Sequence, residues 1–214
     1  MTDKVAPMSS APPPDASWLL PLGRSLGPRE DGTTHDVLAG RVVHALDPVA
    51  WLVWSLSHGL PGAAAPWTVA DLELQTTASG LPDTPAVLGD LLDRGLVVAV
   101  DPADAELLGR VRAVVQLPAL GNSAAEPEVW TLGTPEVPLV HLDRVTFDVV
   151  TSAHRFPDLA GAVAWAAGAA DRAGLPAGAG ADPAEVAARV RGALPLLLAV
   201  GAVHLELVTT GAAA

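Results

Sequence analysis

Leu46–Val53 has the sequence LDPVAWLV, and Leu142–Val149 repeats its pattern as LDRVTFDV. The offset between them, 142 minus 46, is 96 residues, and the same offset aligns His58 with His154. Agreement of apolar, aspartate and histidine positions at one spacing indicates an internal repeat. Because aspartate is a preferred helix N-cap, the repeated segment predicts one helix after its aspartate in each copy.

A second motif supports the repeat, because Leu20–Ser25 (LPLGRS) returns as Leu117–Ser123 (LPALGNS). We therefore expect two tandem units, over residues 18–104 and 105–210. Residues 1–17 contain three consecutive prolines and lack a long apolar stretch. This segment is expected to be a disordered N-terminal tail.

Local signals in the first unit predict a β-hairpin, three helices and a closing strand. Two short strand-like runs flank a two-residue turn, which is typical of a hairpin. The helices are indicated by capping residues, first-turn prolines or terminal glycines. The predicted elements are a hairpin of Thr34–Leu38 and Arg41–Ala45 around Ala39-Gly40, a helix from Pro48 to about His58, a short helix after Thr68 with Val69, Leu72 and Leu74 inward, a helix from Asp83-Thr84-Pro85 with Val87, Leu88, Leu91 and Leu92 at helical spacing, and a strand over Leu96–Val100.

The second unit shows the same order of signals. Its predicted elements are a hairpin of Glu128–Leu132 and Glu136–Leu142, a helix capped by Asp143, a helix over Ala160–Ala170, a surface loop at Gly174–Gly180, a helix opened by Asp182-Pro183 that Pro195 ends or kinks, and a strand over Gly201–Val208. The predicted fold class is therefore α+β, with two tandem winged-helix-like units, each a β-hairpin, three helices and a closing strand.

The first unit also carries a family resemblance. Val42–Asp47 (VVHALD) ends the hairpin, an amphipathic helix follows over Pro48–Ser57, and Leu91–Leu96 (LLDRGL) precedes the last strand. This order resembles the PqqD-like or RiPP recognition element family, which are small winged-helix domains that recognise the leaders of ribosomally made peptides. The resemblance implies that a peptide adds as a strand beside the hairpin and packs against the third helix. The residues implied for peptide contact are Arg41, Val43 and Ala45 for backbone pairing, and Val87, Asp90, Leu91 and Arg94 for the cleft.

Trp51 and Trp54 lie three residues apart and share a face of the first helix. Trp51 corresponds to Phe147 and is expected in the core. Trp54 corresponds to Val150 and is a candidate for contact with a partner or between the units.

Composition and motifs argue against nucleic-acid binding and against enzyme activity. Lysine and arginine number 12 against 24 aspartates and glutamates, which gives a net charge of −12 and a field that repels phosphate. The absence of cysteine excludes disulfides, thiolate metal sites and cysteine nucleophiles. No nucleophile elbow, phosphate-binding loop or histidine pair at metal-ligand spacing occurs. We expect no enzyme activity and no catalytic residues, metal or cofactor; the histidines that end hairpins (His44, His141) and first helices (His58, His154) are expected to be structural.

The resulting prediction is a non-enzymatic adaptor or complex subunit that binds a protein or peptide, as a homodimer or with another subunit. Strand addition at the exposed hairpin edges is its expected binding mode, at Arg41, Val43, Glu136 and Leu139. Recognition of peptide leaders is the alternative. Since no apolar run is long enough to span a membrane, we expect a cytoplasmic protein.

A winged-helix transcription regulator is the second alternative. DNA binding is disfavoured because the third helix of the first unit offers only Arg94, beside Asp90 and Asp93. In the second unit the candidate nucleic-acid contacts are Arg172, Arg189 and Arg191.

Overall fold

The computed structural model of the chain describes residues 13–30, 32–62, 66–81, 83–174 and 181–208. The prediction of an α+β fold is confirmed, since helices accompany several small antiparallel sheets. The described residues form two compact units: those up to His58 together with Trp67–Ala103, and those of Gly59–Pro66 together with Asp104 onward. Within the described stretches, every helix is too short or too polar to cross a lipid bilayer.

The first unit combines a three-stranded sheet, three helices and a separate strand pair. Its elements are β1 (Trp18–Pro21), β2 (Arg24–Pro28), β3 (His35–Ala39), β4 (Val42–Leu46), α1 (Pro48–Leu56), α2 (Val69–Ala78), α3 (Thr84–Asp93) and β5 (Val97–Val100). Strands β2, β3 and β4 form an antiparallel sheet in chain order. Strand β1 pairs antiparallel with β5, with Trp18 opposite Val100 and Pro21 opposite Val97.

The second unit repeats this order with short additions. Its elements are α4 (Leu107–Arg110), β6 (Val111–Val115), β7 (Ala119–Gly121), β8 (Trp130–Thr134), β9 (Val137–Leu142), α5 (Arg144–Ser152), a 3-10 turn (Ala153–Arg155), α6 (Leu159–Ala167), α7 (Ala169–Arg172), α8 (Pro183–Ala199) and β10 (Val203–Leu207). Strands β7, β8 and β9 form the sheet, and β6 pairs antiparallel with β10. The helices α5, α6 and α8 therefore take the places of α1, α2 and α3.

An aspartate joins the sheet to the first helix in each unit. The Oδ1 atom of Asp47 accepts hydrogen bonds from the N–H groups of Val49 and Ala50, both at 2.9 Å. Asp143 accepts hydrogen bonds from the N–H and hydroxyl groups of Thr146, at 3.0 and 2.6 Å. Such a cap typically contributes about 1 kcal/mol. The predicted helix starts at these two aspartates are confirmed.

Each predicted hairpin is part of a three-stranded sheet. Strands β3 and β4 turn at Gly40-Arg41, one residue later than predicted, because Ala39 pairs with Val42. The added strands β2 and β7 each have a bulge, at Gly27 and Gly121. These glycines have φ values of 96° and 78°, which side-chain-bearing residues rarely adopt.

The two Leu-Pro motifs are not structurally equivalent. The N–H of Leu22 bonds to the carbonyl oxygen of Leu96 at 2.9 Å, and the N–H of Gln116 bonds to that of Ala202 at 2.8 Å. Because Leu22 thus corresponds to Gln116, the match inferred from these motifs is three residues out of register. The match through Asp47 and Asp143 holds.

The inward faces of α2 and α3 follow helical spacing except at one residue. Val69 and Leu72 on α2, and Leu88 and Leu91 on α3, are at most 4% exposed. Leu74, which is expected to face inward, is 73% exposed. Two residues beyond Leu72, a helix has turned by about 200°, so Leu74 points to the opposite side.

Helix α8 continues through Pro195 to Ala199, so of the two effects expected of the proline, ending the helix is wrong, and a kink stays a prediction. Proline inside a helix costs about 3 kcal/mol, whereas each fully buried leucine contributes about 1.5–3 kcal/mol. Leu194 and Leu197 are at most 2% exposed, and their burial outweighs the lost hydrogen bond. The predicted loop at Gly174–Gly180 lies, apart from its first residue, outside the described residues.

Residues at the end of the predicted N-terminal tail are hydrogen-bonded to the first unit. The carbonyl oxygens of Asp15 and Ser17 accept hydrogen bonds from the N–H groups of Ala70 and Val69, each at 3.2 Å. These N–H groups open α2 and have no partner within the helix. Asp15 and Ser17 therefore belong to the first unit, which corrects this part of the prediction; residues 1–12 lie outside the described residues.

Substitution of Gly23 tests the turn between β1 and β2. A Cβ atom there would lie 2.3 Å from the carbonyl oxygen of Leu38, at a φ of 82°. Gly27 has a φ of 96° but nothing within 4 Å of a Cβ. We expect Gly23→Ala to lower the free energy of unfolding by about 3 kcal/mol and the control Gly27→Ala by about 1 kcal/mol, because only the first adds a clash to the cost of positive φ. Urea denaturation followed by tryptophan fluorescence measures both, and equal losses would contradict this account.

Candidate functional site

Strand β4 lies at the side of its sheet: among the described residues it pairs with β3 alone. Ala39 and Val42 close a two-residue turn, and such closing pairs are hydrogen-bonded. Because bonded and non-bonded positions alternate along an antiparallel ladder, the backbone groups of Val43 and Ala45 face outward. We call Arg41–Leu46 the β4 edge.

The β4 edge is mostly apolar and lacks the proline, lysine and bulge that often protect a free strand. Val42 and Val43 are 56% and 49% exposed. The edge contains neither proline nor lysine, and its ladder with β3 is regular. The opposite outer strand, β2, bulges between Ser25 and Gly27 and ends at Pro28. An exposed, unprotected strand is a site at which another strand can add.

The end of α3 reaches the β4 edge through Arg94. Its Nη2 donates a hydrogen bond to the carbonyl oxygen of Ala45 at 3.2 Å, and its Nη1 donates to Oδ2 of Asp90 at 3.0 Å. Arg94 is the C-cap residue of α3, and Gly95, with a φ of 64°, turns the chain towards β5. The structure thus brings Ala45, Asp90 and Arg94 into one cluster.

Two of the predicted contact residues are inaccessible. Leu91 is 0% and Trp54 is 3% exposed. The indole N–H of Trp54 donates a hydrogen bond to the carbonyl oxygen of Leu22 at 3.3 Å. Val87 is partly buried and packs against the same core. The expectation that Trp54 and Leu91 contact a partner is therefore corrected: both stabilise the core beneath the β4 edge.

His44 lies within the β4 edge, opposite Val37. Burial lowers the pKa of the imidazole, and the positive charge of Arg94 lowers that pKa further. Arg41, at the turn, is exposed and forms no ion pair with any described residue. The edge therefore combines an apolar strand with two guanidinium groups.

The outer strand of the second sheet has a different character. Val137 and Leu139 in β9 are 52% and 43% exposed, so this strand is also apolar. Pro138 lies between them, however, and the ladder is irregular there. A proline has no N–H to offer an incoming strand. Glu136 occupies the turn position that Arg41 holds in the first sheet.

The three arginines considered for nucleic acid have partners within the protein. The contacts are Arg189 with Asp143 and Glu185 at 3.9 and 3.8 Å, Arg191 with the carbonyl oxygen of Asp104 at 3.3 Å, and Arg172 with the ring of Trp165 at 4.9 Å. Burial acts to raise the pKa of Asp143, but hydrogen bonds from Thr146 and the charge of Arg189 outweigh this effect, so the pKa lies below its usual value.

One cluster in the second unit was not predicted from the sequence. The guanidinium groups of Arg155 and Arg172 lie 5.4 and 4.9 Å from the ring centroid of Trp165, within cation–π range. Phe156 contacts the same ring at a centroid distance of 5.8 Å. Trp165 lies in α6 and Arg172 in α7, and the seven-residue spacing between them is the sequence signal that could have revealed the pair.

The histidines that follow the first helices make matching contacts. The Nδ1 atom of His58 lies 3.2 Å from the carbonyl oxygen of Ser55, and that of His154 lies 3.0 Å from the carbonyl oxygen of Thr151. Each imidazole thus satisfies a carbonyl three residues earlier at a helix end. In the part of the chain that the structure describes, no three His, Asp or Glu side chains are grouped to hold a metal ion.

Comparisons with known proteins find no match to this chain. No protein-family model matches it, and no curated protein and no solved structure matches it either. The resemblance to PqqD-like domains therefore stays a prediction from sequence, and the geometry of the β4 edge carries the functional argument.

His58 predicts how stability depends on pH. Its burial lowers the pKa of the imidazole from the usual 6.5, although hydrogen bonds to the carbonyls of Trp54 and Ser55 oppose this effect. Below that usual value the unfolded chain takes up a proton that the folded chain does not, so stability falls as the pH falls. We expect the melting temperature to drop between about pH 7.5 and pH 5.5, and His58→Gln to reduce that drop.

His154→Gln is the matched control, because His154 is exposed at the equivalent helix end. It should leave the pH dependence of the melting temperature as in the wild-type protein. Since burial also lowers the pKa of His44, part of the drop should persist in His58→Gln. An identical drop in both variants would argue against the role of His58.

Proposed function

We propose that this chain is a non-enzymatic adaptor that binds a protein or peptide through its first unit, by addition of a partner strand to β4. The observation that carries the proposal is the open β4 edge, with Val42 and Val43 56% and 49% exposed and the outward backbone groups of Val43 and Ala45 unpaired by any described strand. Main-chain hydrogen bonds supply affinity in this mode, and neighbouring side chains supply specificity.

The neighbouring element for specificity is the end of α3. Arg94 contacts both Ala45 on the strand and Asp90 on the helix, so a segment added to β4 would lie against the last turn of α3. The core beneath is well packed, since Leu46 and Leu91 are both 0% exposed. A well-packed scaffold beside a free edge limits the entropy lost on binding.

The order of elements supports a tandem winged-helix-like description of both units. In each, a three-stranded sheet is followed by three helices and a strand. The PqqD-like resemblance implies this same placement of a peptide, beside the last strand of the hairpin and against the third helix. A leader-type peptide is accordingly one form the partner could take, and a segment of a larger protein is the other.

A photo-cross-linking amino acid at position 43 tests the proposal. In lysate of the source cells, we expect it to cross-link to a defined segment of one protein or peptide, because the side chain at position 43 is 49% exposed on the free strand. Excess unlabelled wild-type protein should suppress the cross-link. Excess Val43→Pro should not, because the substitution removes an outward N–H that the added strand needs.

His141→Pro is the matched competitor, since His141 is an outward position of the outer strand β9 in the second sheet. It should suppress the cross-link as fully as the wild-type protein does. Circular dichroism melts establish that both variants are folded. Equal competition by Val43→Pro and His141→Pro, or no cross-linked segment at all, would refute strand addition at β4.

A further inference from the structure

Two positive groups stand beside the β4 edge, one near each end. Arg41 occupies the turn, and Arg94 reaches the carbonyl oxygen of Ala45 at 3.2 Å. The five residues from Arg41 to Ala45 are separated by four steps of about 3.3 Å and span about 13 Å of extended chain. A strand lying along β4 would therefore pass both guanidinium groups.

Arg94 now occupies an atom that an added strand would need. Ala45 is an outward-facing residue, and its carbonyl oxygen is the acceptor for an incoming N–H. Strand addition must therefore release the Nη2 group of Arg94 from this oxygen, while Nη1 is still held by Asp90 at 3.0 Å. A released guanidinium donor is best satisfied by a carboxylate, because charge-assisted hydrogen bonds are the stronger kind.

The acidic residues beside the edge leave positive charge for a partner. Asp36, opposite Ala45, is paired with Arg29 at 2.9 Å. Asp90 offsets part of the charge of Arg94 but binds its Nη1 alone, so Nη2 is the group that a carboxylate of the partner can bind. Arg41 forms no ion pair among the described residues and is therefore in excess locally. The net charge of −12 belongs to the whole chain, and exposed charges beyond about 8 Å are largely screened at physiological salt.

The second unit lacks both positive groups. Glu136 holds the turn position of Arg41, and Val200 holds the place of Arg94, one residue before the glycine that ends α8. The outer strand there also carries Pro138. Positive charge at the strand edge thus distinguishes the first unit from the second. If the fold alone required these charges, both units would carry them.

We propose that the β4 edge selects an extended partner segment that bears carboxylate side chains, which Arg94 and Arg41 bind. This inference rests on the proposed strand addition. In the absence of a partner, Arg94 covers the Ala45 carbonyl; on binding it exchanges that oxygen for a carboxylate of the added segment. Neutral segments offer no such exchange and bind more weakly.

Selection from a library of random short peptides tests the inference without presuming a sequence. The full chain, Val43→Pro and Arg94→Glu are used as separate targets. Peptides enriched on the wild-type chain but not on Val43→Pro should contain an excess of Asp and Glu, and this excess should disappear on Arg94→Glu. One synthetic acidic binder should lose about tenfold in affinity on Arg94→Glu, and about tenfold when its own Glu residues become Gln.

Glu136→Lys is the control for charge, because it reverses the charge at the turn of the second unit that corresponds to the turn of Arg41, and it should leave the acidic preference intact. If Val43→Pro loses the wild-type melting transition, backbone amide shifts of Val43 and Ala45 on addition of the peptide identify binding at β4 instead. Binders at β4 without acidic excess, or with an excess that persists on Arg94→Glu, would overturn this inference and leave strand addition standing. Absence of any binder at β4 would overturn both.

Discussion

Each unit depends on the pairing of its first strand with its last. In the first unit Trp18 lies opposite Val100, and the bond from Leu22 to Leu96 continues the pairing. Contacts so distant in the sequence form only when the intervening sheet and helices have folded back on themselves. The pairing also fixes where α3 ends, since Gly95 leads directly into the last strand. The approach of Arg94 to the β4 edge is therefore a consequence of closure.

Local chemistry made much of this fold predictable. Helix starts follow from single side chains, as at Asp47 and Asp143, and the capping box of Thr68 with Asp71 opens α2. Hairpin positions follow from strand-like runs around a glycine. These features were predictable because each is decided within a few residues.

The strand pairs and the added third strands were not predictable in the same way. Strand β1 is short and continuously apolar, so it shows no alternation, and its partner β5 is encoded almost a unit away. The Leu-Pro motif was misleading, because its two copies lie at different places: Leu20-Pro21 ends β1, whereas Leu117-Pro118 lies between β6 and β7. Pro195 shows the same limit: a local rule against proline yields to the burial of Leu194 and Leu197.

The candidate site was likewise predictable only where local order decides a residue's role. Ala45, Asp90 and Arg94 could be grouped from the resemblance, because their roles follow from strand and helix order. Trp54 and Leu91 were misassigned, because apolar spacing alone does not distinguish a groove from a core. The buried indole N–H of Trp54 donates its hydrogen bond to the carbonyl oxygen of Leu22, 32 residues away.

Closure by terminal strands has a consequence for biosynthesis. The first unit cannot close until β5 has left the ribosome, and until then the apolar strand β1 lacks its partner strand. Once β5 emerges, the two strands can pair before β10 has been made, since domains generally fold as units during synthesis. The order of translation therefore protects the repeat against exchange of strands between its two units, because β1 can pair with β5 before the competing strand β10 exists.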